Sequence, residues 1–179
     1  MKRAGGFTIV ELLIVIVVIG ILAAIVVIAF NGIQIRAYEA KALSIVNAYE
    51  KGLKMYKAEK GRYPSYTNDN MSNVWVCLGS ADQYPARDGF AAGQCETWSG
   101  PTVVTDEGFV NELRTVMGPP VSGELPVIDY GSGRARGVMY HAAGQSIDYY
   151  MKGTGACPRG VKTIDNGNTR CVIHIDTAD

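Results

Sequence analysis

The run from Leu12 to Phe30 is apolar at every position except Gly20, and it constrains the chain more than any other feature. Counted from Phe7, about 24 residues at about 1.5 Å each make a helix about 36 Å long, enough to cross a hydrocarbon core of about 30 Å. Lys2 and Arg3 stand just before it. By the positive-inside rule they hold the N-terminus in the cytoplasm and send everything after Phe30 outward. A secretory signal peptide needs a shorter run and a polar region before its cut; Val27-Ile28-Ala29 gives a tolerable site, but the run is too long and lacks the polar region. A buried core helix this apolar on all faces is more than a domain of this size could cover. A plain anchor would carry no charge, yet Glu11 sits one turn in, and an acid at a helix centre costs about 2.5 to 3.5 kcal/mol. An acid inside a membrane segment reads as functional.

The rest of the chain is an ordinary polar, Gly-rich globular sequence, so much of the 47% hydrophobic content belongs to one helix. Seventeen basic residues balance seventeen acidic ones, which leaves no overall field to attract nucleic acid or anionic lipid. Ile35, Tyr38, Ala42, Ile45 or Val46, Tyr49, Leu53 and Tyr56 recur at helical spacing and predict an amphipathic continuation, with Glu50 and Lys54 paired on the polar side. Gly52 weakens that helix by about 1 kcal/mol relative to alanine. Gly61-Arg62-Tyr63-Pro64 ends it. Beyond Pro64, short extended runs at 73–78, 125–130, 136–141, 146–151 and 170–176 predict an antiparallel sheet, with a hairpin turn at His141 to Gln145. Thr105 or Asp106 caps a short helix over 106–117 before Gly118, and Pro64 to Asn73 is the expected linker.

Cys77, Cys95, Cys157 and Cys171 all fall on the exported side and read as two disulfides. Pairing in sequence order, Cys77 with Cys95 and Cys157 with Cys171, closes short loops worth about 3 kcal/mol each, and other connectivities stay open. Zinc would want closely spaced cysteine pairs, which are absent. His141 and His174 have no nucleophile or metal-spaced acid nearby in sequence and read as structural or exposed, so no catalytic residue is named. Asp165-Asn166-Gly167-Asn168 is a candidate calcium loop, but its spacing fits no EF-hand and a simple turn is the default reading. Arg134, Arg136, Lys152, Arg159, Lys162 and Arg170 form a candidate basic surface for DNA or anionic glycans, against a default of solvated charge. Asn70-Met71-Ser72 is a lone glycosylation sequon.

The string Gly5-Gly6-Phe7-Thr8-Ile9-Val10-Glu11-Leu12-Leu13, behind a short basic leader, resembles the processing site of type IV pilins and pseudopilins. The resemblance implies cleavage after Gly6 by a prepilin peptidase and N-methylation of the new terminal residue, Phe7. It divides the chain into a leader over 1–6, a transmembrane and filament-core helix over 7–30, an amphipathic continuation over 31–61 and a globular head over 62–179. The expected fold is α+β: a long N-terminal helix packed on a C-terminal antiparallel sheet with one short extra helix. The expected function is a structural subunit of an extracellular type IV pilus, serving adhesion, motility or DNA uptake; the alternative is a pseudopilin of a type II secretion or competence machine. Neither is an enzyme or needs a cofactor. Expected partners are other copies of the chain, the prepilin peptidase, the pilus assembly platform with its ATPase, and the membrane while the chain is a precursor. No specific nucleic acid is indicated. Many Gram-negative pilins carry a proline where this chain has Ile28, so a mostly continuous helix is expected, with Gly20 and Asn31-Gly32 as possible joints.

The resemblance also gives Glu11 a task. In a packed filament core an unpaired carboxylate is strongly destabilising, and the amine that cleavage creates on Phe7 can neutralise it. The pair can close within one chain, one helical turn apart, or between subunits, where it would set axial register. The pilin resemblance favours the pairing between subunits.

Overall fold

The computed structural model describes residues 8–66, 75–97, 102–131, 133–165 and 167–176. Its first element is a single helix, α1, Ile9–Lys60, which passes Gly20 and Asn31-Gly32 without a break. Contacts divide the chain into two units, Met1–Ala37 and Tyr38–Asp179.

In the first unit, every side chain described between Ile9 and Val26 is exposed, on all faces of the helix. In the second unit α1 acquires an inside: Ala42, Ile45, Val46, Tyr49, Leu53 and Tyr56 are buried at three- and four-residue intervals. Ile35, expected in that stripe, is 43% exposed. Gly52 is not merely a weak point. A Cβ there would come within 2.6 Å of the Met117 sulfur, so the bare backbone lets the end of the second helix come close. Helix α1 stops where Gly61 turns left-handed at φ 71° and its N–H bonds to Lys57 O at 2.8 Å.

The second helix, α2, spans Glu107–Met117; Asp106 caps it by accepting the Phe109 N–H at 2.9 Å. Among the described residues nine strands follow one another as β1 Trp75–Cys77, β2 Gln94–Thr97, β3 Val103–Val104, β4 Glu124–Tyr130, β5 Gly133–Gly137, β6 Met139–His141, β7 Ser146–Met151, β8 Val161–Asp165 and β9 Asn168–His174. They form two antiparallel sheets, one ordered β1-β6-β7-β9-β8 and the other β3-β2-β5-β4. The run expected as one strand over 136–141 is two, because Val138 steps from one sheet to the other. Its N–H bonds to Gly123 O at 3.1 Å and its carbonyl accepts from Leu78 N at 2.9 Å. Strands β2, β3 and β8 answer to no expected run, and β5 only to the start of the 136–141 run. β5, Gly-Arg-Ala-Arg-Gly, reads as a turn from its glycines.

Two cores result. The stripe of α1 packs with Phe109 and Leu113 of α2 onto Val76, Tyr140, Ile147, Tyr149, Cys171 and Ile173 of the five-stranded sheet. The second core lies around Tyr84, Cys95, Ile128, Tyr130, Met139 and Tyr150. Residues 67–74 carry the sequon at Asn70, most of the expected linker and the start of the strand expected at 73–78; all of these lie outside the described residues.

Candidate assembly site

The site begins at the start of α1. Thr8 N and Thr8 Oγ1 each donate to Glu11 Oε2 at 2.8 Å, and Glu11 N donates back to Thr8 Oγ1 at 3.3 Å. This is a capping box: the acid satisfies donors that the first helical turn leaves open, and its charge lies at the favourable end of the helix dipole. Glu11 Oε1 accepts no hydrogen bond among the described residues. Gly6 and Phe7, the expected cleavage and methylation residues, lie outside those residues. Behind the box come Ile9 to Val26, one helix long and apolar enough to cross a membrane. Thr8 was not singled out in the sequence, although Thr8-Ile9-Val10-Glu11 has the spacing of a capping box.

The head is stapled twice. Cys77 is bonded to Cys95, with Cα atoms 5.8 Å apart, and Cys157 to Cys171, at 5.7 Å. The first bond joins β1 to β2 and so ties the two sheets. The second encloses β8 and the turn into β9. That loop is anchored: Arg159 donates to Asn47 Oδ1 at 2.6 Å and Glu50 Oε2 at 2.7 Å, while its carbonyl accepts the Tyr149 hydroxyl at 3.0 Å. Burial pushes the Glu50 carboxyl up, but the bonds from Arg159 and Lys54 outweigh it and hold the group below its usual range. Asp165 pairs with Asn168 across the β8–β9 turn, where Gly167 is left-handed at φ 83° and Asn168 bonds Gly153 N and Asp129 O. Asn166 lies outside the described residues.

Five of the six basic residues are tied to partners within the head. Arg136 is fully buried, donating to Gln94 O at 2.8 Å, Pro85 O at 2.7 Å and Ala91 O at 3.2 Å, with Glu124 at 3.2 Å. It holds the 78–94 connection together, a role its sequence context does not reveal. Arg134 pairs with Asp129 at 2.7 Å, and Lys162 Nζ donates to the Thr154 carbonyl at 2.5 Å. Arg170 donates twice to Asp148, at 2.8 and 2.5 Å, and lies over the Trp75 ring, which stacks on His141. Asp148 is fully buried and Glu96 nearly so; burial pushes both carboxyls up. Glu96 accepts from the stacked pair Tyr130 and Tyr150. Among the described residues no three or more His, Cys, Asp or Glu side chains are grouped as metal ligands.

Residues 1–27 match the family model of the prokaryotic N-terminal methylation motif. In its N-terminal motif and helix the chain is similar to type IV pilins and pseudopilins. It is 44% identical over 64 residues to the type II secretion system core protein G of Aeromonas hydrophila, covering 36% of this chain and 45% of that one. It is 35% identical over 94 residues to the type IV major pilin protein PilA of Myxococcus xanthus, covering 52% of this chain and 41% of that one. The match to the core protein G of Escherichia coli is 41% over 72 residues, 40% and 49% of the two chains. The pilin-like chain thus spans less than half the length of these curated relatives. No solved structure matches it significantly. Its fold is α+β, and its N-terminal helix is long and apolar enough to anchor a precursor in a membrane.

Proposed function

We propose that the chain is the structural subunit of an extracellular type IV pilus, cleaved after Gly6, N-methylated on Phe7 and polymerised through the apolar half of α1. The observation that carries this reading is the helix from Ile9 to Val26, apolar and exposed on every face, behind a methylation motif. Such a surface is at rest only in lipid or against other copies of itself. Glu11 fits the same reading: Thr8 occupies one of its oxygens, and the other is available to a cation once the helix is packed. The amine created on Phe7 of a neighbouring subunit supplies that cation. The match to a type IV major pilin reaches over more of this chain than the 64-residue match to a secretion core protein, which supports the pilus.

A pseudopilin of a type II secretion machine is the second reading, favoured by the higher identity of the secretion core proteins over the shorter span. Negative-stain microscopy of shed surface material, with antibody to this chain, separates the two. Long labelled filaments support the pilus; label confined to short envelope-embedded rods supports the pseudopilin. Mass spectrometry tests the processing: mature protein begins at Phe7 and is one methyl group heavier than its sequence.

A further inference from the structure

Where α1 ends, a groove of about 370 Å³ opens on the head, and Tyr63, Tyr66, Tyr140, Lys57 and Gln145 line it. Its size falls in the range of small-molecule sites. Tyr140 is 1% exposed, its ring 6.0 Å from Tyr63 and 5.4 Å from Phe109. Yet its hydroxyl makes no hydrogen bond among the described residues. Burial, reinforced by Asp176 and Tyr66, pushes that phenol up, so it stays a neutral O–H. Its oxygen is not sealed from solvent and opens on the groove, where it is free to meet an incoming group.

Gln145 points the same way. It is a non-glycine residue at φ 47°, held there by bonds from Ile175 N to its carbonyl and from its N–H to Ala142 O. Long side chains rarely adopt that backbone, and here it places an exposed amide on the groove, with no partner among the described residues. The charges around the groove cancel. Lys57 is paired with Asp176, which also accepts the Tyr63 hydroxyl at 2.6 Å, and Arg62 is paired with Glu112. Tyr66 leaves 37% of its surface open beside them.

We infer that this groove binds a neutral sugar unit of a glycan, a mono- or disaccharide. Tyrosine rings offer apolar faces to the C–H side of a pyranose, while a phenol, an amide and a paired ammonium offer hydrogen bonds to its hydroxyls. A site without net charge gains nothing from an anionic or cationic ligand. The inference is independent of whether the assembled form is a pilus or a secretion filament.

The test is saturation-transfer difference NMR on the full chain in a detergent without a sugar head group. Lactose and diacetylchitobiose serve as probes, the first for galactosyl chains and the second for N-acetylated wall-type glycans. Transfer to the ring protons of either probe is expected, with a Kd of about a millimolar. Tyr140→Phe keeps the packed ring and removes only the hydroxyl; it weakens binding about fivefold to tenfold. Tyr66→Ala reduces the transfer to C–H protons. Silence from both disaccharides well above millimolar concentration overturns the inference. So does transfer that is unchanged in both variants, or displacement of the neutral probe by an equal concentration of a sulfated disaccharide.

Discussion

The two units of this chain solve the problem of apolar surface in opposite ways. Between Ile9 and Val26 the apolar side chains are all exposed, and the polar interactions there are those of one capping box. In the head, apolar side chains from α1, α2 and two sheets bury one another, and buried Arg136, Asp148 and Glu96 all have hydrogen-bonded partners. One region is complete only in lipid or in an assembly; the other completes itself. A change in the first should therefore register in assembly and leave head stability alone, and a change in the second should do the reverse.

The largest effect is expected at Glu11. Glu11→Ala, as the sole copy in a cell, is expected to leave insertion and cleavage largely intact but to leave the proposed Phe7 amine without its carboxylate in the packed core, so filament number or length should fall sharply. Normal filaments by electron microscopy would refute the pairing. Next comes the staple between the sheets: replacing Cys77 and Cys95 by serine lowers head stability by about 3 kcal/mol, read as a fall in Tm, with no change in membrane extraction behaviour.

Glu112 sharpens the comparison through pH. Burial raises its carboxyl, but Arg62, Tyr56 and the Ser65 N–H together bring it down to about 2. A group depressed in the folded state stabilises the fold above its unfolded range, and that contribution disappears as pH falls through the folded value. The head should thus lose stability from about pH 5 down to about pH 2, by about 1 to 2 kcal/mol once partial exposure is allowed for. Glu112→Gln flattens that slope in acid-unfolding curves. The smallest effects come from two caps of like chemistry. Asp106→Ala lowers head Tm by about 1 kcal/mol equivalent, whereas Thr8→Ala, of similar cost to its own helix, leaves head Tm unchanged and lowers filament yield modestly.

Local chemistry made much of this readable in advance. The stripe from Tyr38 to Tyr56, the stop at Gly61 and the cap at Asp106 each depend on neighbours within a turn or two of helix, and the structure has all three. What escaped depends on partners far away in sequence. β5 is a strand because β2 and β4 flank it, against the turn preference of its own glycines. Arg136 sits inside because three carbonyls of the 85–94 segment face it, and nothing within its own pentapeptide announces that. Gly52 read as a weakness until Met117 appeared against it. At the assembly site the capping box was local and could have been read from Thr8-Ile9-Val10-Glu11 but was not, while the proposed pairing of Glu11 with another chain would belong to an assembly that a single sequence describes only by resemblance.

The crossing at Val138 has a mechanical consequence. A continuous stretch of backbone passes from β5 in one sheet to β6 in the other, and the Cys77–Cys95 bond and the Cys77–Thr105 bridge join the same two sheets a short way off. Force applied along the chain cannot peel one sheet away while the other stays folded, since each strip of hydrogen bonds is loaded through its neighbour. Under tension the head should yield as one brittle unit, at one force, and hold its shape until then.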